Sequence, residues 1–328
     1  MYRAKKSLLV LIFSIILFTF ASSFSTANNG LFAVIEKVLL PTEVDAQEAS
    51  LTSNDGILYM TWMEQDKTAT KVMFSMKTKT GWSEATSVHV GNDLFVNWAD
   101  FPRIAILSDN TIAVHWLQKI GKSGFDYQIK IALSADSGRT WSKPKILHED
   151  RSPVQHGFVS MIPNKEKLLS IIWLDGRTYG IKSEETKNIT EAMQLRATTI
   201  TSDGLIGDEV AIDLRTCSCC QTSITVTDKG TVIAAYRDRS EGEIRDISIA
   251  RLERNIWQEP FSLNYDSWEL SGCPVNGPAI SSIDKLVAVA WFTGAKGVSA
   301  VKIAFSDDDG KSFATPFIIE NKDPIGRV

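Results

Sequence analysis

The chain has 328 residues, 44% of them hydrophobic and 23% charged, with mean hydropathy near zero. That is ordinary globular composition on a chain long enough for a sizeable core. The formal charge of −4 becomes −7 when Arg3, Lys5 and Lys6 are set aside (−4 − 3 = −7), which argues against nucleic acid or an anionic membrane as partner.

Residues 1–27 read as a signal peptide. Arg3, Lys5 and Lys6 form its positive end, Leu8 to Phe20 a mostly apolar run, and Ser25-Thr-Ala27 the small residues before a cleavage point. The run is short against the roughly 20 residues of a spanning helix. A mature chain of residues 28–328, secreted or periplasmic and without a stable membrane span, is expected. No cysteine near the cleavage point offers a lipid anchor.

From residue 45 the same unit recurs. An apolar strand ends in an aromatic at Trp62, Trp116, Trp173, Tyr236 and Trp291, at spacings of 54, 57, 63 and 55 residues. A second aromatic follows 20 to 25 residues later at Trp82, Trp141, Trp257 and Phe313. Each unit divides into four short strands separated by turn residues, with no long helical periodicity. Serial four-strand units of this length predict an all-β propeller. The expected blades are roughly 45–90, 98–148, 153–213, 214–265 and 268–322, with a further blade beginning at 323–328 and incomplete. Separate β-sandwich units are the competing arrangement. Asn188-Ile-Thr190 matches a glycosylation acceptor.

Two turns carry one pattern: Ser134-Ala-Asp136-Ser-Gly138-Arg-Thr140-Trp141 and Ser306-Asp-Asp308-Asp-Gly310-Lys-Ser312-Phe313. Asp caps backbone N–H groups, Gly takes positive φ, and the aromatic re-enters a strand. The third unit keeps only a turn at Thr201-Ser-Asp-Gly204. The pattern resembles the Asp-box (BNR) motif of the sialidase superfamily. That resemblance, over about residues 45–328, implies a six-bladed propeller with the boxes on the face opposite the site.

In a four-strand antiparallel unit, the start of strand one and the end of strand two share one end. That end collects Trp98-Ala-Asp100-Phe-Pro-Arg103, Gln155-His156-Gly157, Cys217-Ser-Cys219-Cys220, Cys273-Pro-Val-Asn276, Asp175-Gly-Arg177 and the charged run Arg237 to Asp246. Arginines at a propeller mouth can grip a carboxylate bidentately. In the run itself, Arg237, Asp238, Arg239, Glu243 and Arg245 can equally form a salt-bridged hairpin.

The resemblance implies an exo-sialidase type of glycosidase, with three Arg on a substrate carboxylate, an Asp acid and a Tyr nucleophile activated by Glu. The family's Phe-Arg-Ile-Pro motif is not intact: Phe101-Pro-Arg103-Ile104 has its composition in another order. Asp100, Asp175 and Glu243 are the candidate catalytic carboxylates. Arg103, Arg177, Arg237, Arg239, Arg245 and Asn276 are the candidate substrate contacts. A carbohydrate or glycoconjugate is the expected partner, and no cofactor is required. A non-catalytic propeller that binds glycan, protein or metal is the alternative.

Cys217, Cys219, Cys220 and Cys273 start adjacent inner strands, so they should be neighbours. A disulfide between blades is one reading. A copper or zinc site using these thiols and His156 is another, and a strained Cys219–Cys220 bond a third.

Overall fold

In the computed structural model, residues 38–42, 44–107, 109–179, 192–322 and 324 are described. Residues 1–27, the Asn188 acceptor and all of the expected sixth blade except Pro324 lie outside them. From Pro41 onward the chain is one compact unit.

Among the described residues every regular element is a strand, apart from two single-turn 3-10 segments. The first sheet holds β1 (Ala46–Asn54), β2 (Ile57–Gln65), β3 (Thr70–Thr78), β4 (Gly81–Trp82) and β5 (Thr86–Gly91). The second holds β6 (Arg103–Ile106), β7 (Ile112–Lys119), β8 (Tyr127–Ser134) and β9 (Lys145–Ile146). The third holds β10 (His156–Pro163), β11 (Leu169–Asp175), β12 (Met193–Ile200) and β13 (Val210–Thr216). The fourth holds β14 (Ser223–Val226), β15 (Val232–Arg237), β16 (Ile247–Glu253), β17 (Ile256–Trp257) and β18 (Phe261–Ser262). The fifth holds β19 (Ala279–Ile283), β20 (Leu286–Thr293), β21 (Ala300–Ser306) and β22 (Phe317–Glu320). Strands pair antiparallel in sequence order; β5 and β18 add to β3 and β16. Five sheets are present among the described residues, and none closes on itself.

The first strands β1, β6, β10, β14 and β19 touch one another in turn. Between consecutive sheets lie four apolar cores, each built from two neighbouring sheets. Trp116, Trp173, Tyr236 and Trp291 are buried in these layers, one in each, and Trp62 is buried as well. Such burial stabilises by about 3 kcal/mol each. Their polar edges find acceptors where one is in reach. Trp62 Nε1 donates to Glu64 (2.9 Å), Trp173 Nε1 to Asp175 (2.9 Å), Trp291 Nε1 to Asp266 (2.7 Å) and Tyr236 Oη to Asp213 (2.6 Å).

The two S-x-D-x-G turns join the third and fourth strands of their sheets. Ser134 Oγ accepts from the Gly138 amide (2.9 Å), and Asp136 accepts from the Thr140 amide (2.9 Å) and hydroxyl (2.7 Å). The second turn repeats this through Ser306, Gly310, Asp308 and Ser312. Bonds from Thr140 hold Asp136 down at about 2.

Each of these turns is pressed onto the preceding sheet. A Cβ on Gly138, at φ +81, would meet the Phe74 ring at 2.1 Å; one on Gly310, at φ +74, would meet Ile233 at 2.7 Å. Trp141 packs edge-on against Phe74 (5.5 Å), and Arg251 Nε donates to Asp309 O (3.0 Å). The third sheet's Thr201–Gly204 turn is reached the same way, by Lys145 of the second sheet.

Candidate functional site

Antiparallel pairing sets His156 opposite Asp175 and Ala46 opposite Glu64, so first-strand starts and second-strand ends share one end of the array. There a cavity of about 530 Å3 opens between the segments that precede β6, β10, β14 and β19. Trp98, Phe125 and Tyr179 are exposed on its wall, and Asp100, Asp126, Tyr127 and Phe158 also line it.

Asp100 is the buried acid of this cavity, at 4% exposure. Its Oδ2 accepts from the Tyr127 hydroxyl (3.1 Å) and its Oδ1 from the Phe158 amide (2.8 Å). The local backbone is bent to make this contact. The pairing of β10 with β11 slips between Gly157 and Ser160, and Phe158 sits at φ 53. That conformation is an outlier for a bulky residue, and such strain collects at functional positions. Gly157 is required by space: a Cβ there would lie 2.0 Å from Asp100 Oδ2. Burial pushes the Asp100 carboxyl up to about 7, against the Phe158 amide, the Tyr127 hydroxyl and the Arg103 charge, which pull it down. A carboxyl in this range holds a proton near neutral pH and can donate it. Asp126, on the same wall, accepts from the Ser123 amide (2.8 Å).

Arg103, half-buried, has no hydrogen-bond or ion-pair partner among the described residues. Its guanidinium stands 5.2 Å from the Phe101 ring and borders a second cavity of about 200 Å3, with Gln221, Ser223 and Gly277. His115, opposite Arg103 in the sheet, is wholly buried with both ring nitrogens unpartnered; burial, then Arg103, hold it down at about 3.

The remaining candidates are engaged elsewhere. Asp175 is fully buried and accepts from Trp173 Nε1, the Arg177 amide (3.0 Å), Arg177 Nε (2.7 Å) and Arg177 Nη2 (2.8 Å). Burial would raise its carboxyl, but Arg177, His156 and Trp173 hold it at about 2. Arg177 also pairs with Glu209 (2.5 Å). Arg237, 2% exposed, gives its donors to the carbonyls of Asn276 (2.7 Å), Arg245 (2.5 Å) and Phe292 (2.8 Å), and lies over Trp268 (4.8 Å). Glu243 pairs with Arg239 (2.9 Å) and Arg245 (2.6 Å), as the salt-bridged hairpin reading of this run has it. Asn276 is buried with its Oδ1 unpartnered.

The expected inter-blade disulfide is not formed: all four cysteines are free thiols. Cys217 Sγ lies 3.8 Å from Cys219 Sγ and 3.3 Å from Cys220 Sγ. His156 belongs to a separate group with Asp150 (3.0 Å) and Asp175 (3.7 Å), and stacks on His148 (3.8 Å). Asp126, Tyr127 and Phe125 were not among the sequence candidates. Phe125 and Asp126 sit in the link from β7 to β8, which carries no motif, and Tyr127 is the first residue of β8.

No protein-family model matches the chain, and no curated protein matches it. Solved structures do. The fold is shared with a protein of unknown function from Dyadobacter fermentans: 13% identity, 84% of this chain and 83% of that one, TM-score 0.53. It is shared with an α-L-arabinanase of Penicillium chrysogenum complexed with arabinobiose: 12% identity, 82% and 80%, TM-score 0.50. A Hadza microbial sialidase matches at 16% identity and TM-score 0.48; 85% of this chain is covered and it spans 59% of that one. At these identities the likeness carries the fold alone, a β-propeller-like fold shared with glycoside hydrolases. Among the described residues no helix is long and apolar enough to cross a membrane.

Proposed function

We propose that this protein is an exported glycoside hydrolase that acts on a terminal sugar bound in the 530 Å3 cavity, with Asp100 as general acid. The observation that carries the reading is a carboxyl held near 7 on an aromatic-lined wall. Aromatic faces such as Trp98 and Phe125 suit the apolar faces of sugar rings, and a buried acid suits protonation of the leaving oxygen. Asp126 supplies a second carboxylate on the same wall, in the role of base or nucleophile. The likeness to the arabinanase is consistent with this chemistry.

The exo-sialidase form of the reading, which would go with a full six-bladed ring, has one support at the site: Arg103, whose charge acts on Asp100 from the second cavity and which has no hydrogen-bond or ion-pair partner among the described residues. It would hold the substrate carboxylate. The other arginines would have to leave Glu243, Asp175 or three backbone carbonyls to join it.

A panel of aryl glycosides that includes an α-L-arabinofuranoside and a sialoside tests both forms. Release of aglycone, lost in Asp100→Asn, supports the hydrolase. Sialoside turnover with KM raised in Arg103→Ala supports the sialidase form. A folded wild-type protein that turns over nothing, yet binds glycan equally with and without Asp100, leaves the non-catalytic propeller.

A further inference from the structure

Four thiols converge where the fourth and fifth sheets begin. Cys217, Cys219 and Cys220 come from the link between β13 and β14, and Cys273 from the link between β18 and β19. The sulfurs of the first three lie within 4.8 Å of one another. Cys273 lies beside Cys219 but outside that group of three, and both border the large cavity. A tetrahedral ion with metal–sulfur bonds of about 2.3 Å spaces its ligand sulfurs about 3.8 Å apart. Cys217 and Cys219 already stand at that separation, and Cys217 and Cys220 slightly inside it.

The surroundings suit such an ion. Cys217 and Cys220 are buried while Cys219 and Cys273 reach the cavity, which gives an entry path. The loop is fixed by the Cys217 amide, which donates to Arg237 O (3.1 Å). Four thiolates on a divalent ion leave a charge of about −2 to be balanced. Two buried arginines lie nearby: Arg237, held by three carbonyls, adds positive field at Cys220, and Arg245, which also pairs with Glu243, adds it at Cys217 and Cys273. Arg245, 3% exposed, keeps Nη1 without a partner.

We propose that Cys217, Cys219, Cys220 and Cys273 form a binding site for one thiophilic d10 metal ion, Zn2+ or Cu+. Each ligating thiol gives its proton to solvent and a lone pair to the ion, and no electron is transferred. Zn2+ engages all four sulfurs; the softer Cu+ is satisfied by the Cys217, Cys219, Cys220 triad. The cluster borders the same cavity as the hydrolase reading but uses none of the residues given a role in it.

The test is titration of the full mature chain, reduced and without oxygen, with Zn2+ and separately with Cu+, followed by elemental analysis. Co2+ serves as an optical stand-in for Zn2+. One ion per chain is expected, with the charge-transfer band of thiolate-bound tetrahedral Co2+. The Cys219→Ser/Cys273→Ser double variant, at the accessible side of the cluster, should lose about tenfold or more in affinity while its circular dichroism stays that of the wild type. Cys273→Ser alone should weaken Zn2+ binding and leave Cu+ binding, carried by the other three thiols, unchanged. The proposal is overturned if the reduced, folded chain takes up neither ion. It is equally overturned if the double variant binds as tightly as the wild type. Isolation of the exported chain with these cysteines paired as disulfides and no metal bound has the same meaning.

Discussion

Two regions at the same end of the array handle charge in opposite ways. The run from Arg237 to Asp246 is the densest charge cluster of the sequence, and its arginines are consumed internally by three backbone carbonyls and by Glu243. The wall around Asp100 is sparse in charge, and its one buried carboxyl is left nearly alone with a tyrosine hydroxyl and an amide. Charge density in the sequence therefore marks where the chain braces itself. Reactive charge is found where few partners are available to quench it.

The largest test of this contrast is Asp100→Asn. Turnover of whichever glycoside the panel identifies should fall about 10²–10⁴-fold. The same carboxyl makes a stability prediction. Its folded value, about 7, lies above the roughly 3.9 of an unfolded Asp. The folded state therefore holds the extra proton, and its contribution is full below about pH 4 and lost as pH rises through about 7. Chemical denaturation of wild type against Asp100→Asn should show the wild type losing about 2–4 kcal/mol relative to the variant across that window. A flat difference would mean that the site is wetter than its burial implies.

Next comes Arg237→Ala. It strands three buried carbonyls, and urea unfolding should show a loss of about 3 kcal/mol or more. A smaller loss would make Arg237 available for ligand and erase the contrast. Gly138→Ala, which pushes a Cβ into Phe74 at positive φ, should cost about 2 kcal/mol, measured the same way. The smallest effect is expected for Glu243→Gln. Glu243 itself is part-exposed and solvent-screened, although Arg239 and Arg245 are buried, so stability should shift by about 1 kcal/mol, and turnover should stay at the wild-type level. A rise in sialoside affinity in that variant would instead mean that Arg239 and Arg245 are substrate arginines held in reserve.

The all-β, serial-sheet character was legible because its determinants are local. Aromatics at the end of each second strand and Asp–Gly turns repeat at near-constant spacing, and neither depends on distant sequence. The convergence of Cys217, Cys219, Cys220 and Cys273 was legible for a related reason: antiparallel topology alone sends the starts of neighbouring inner strands to one place. The occupancy of Arg237 was not, because its partners are main-chain carbonyls of Asn276, Arg245 and Phe292, which every residue type carries. Asp126 and Tyr127 were also hidden. Asp126 lies in a link without a motif and Tyr127 opens β8; the pairing of Tyr127 with Gln155 and the fit of Gly157 against Asp100 and Tyr127 bring them to the cavity wall.

The turns pressed onto preceding sheets bear on how the chain assembles as it emerges. Gly138 covers Phe74, Lys145 reaches forward to Gly204, and Gly310 covers Ile233. The first, second and fourth sheets are thus each finished by residues roughly a unit further along. During synthesis, a newly released sheet is therefore expected to stay unsealed until the next one has followed it, and a pause between units is expected to leave apolar surface at the leading edge open to whatever holds nascent chains soluble.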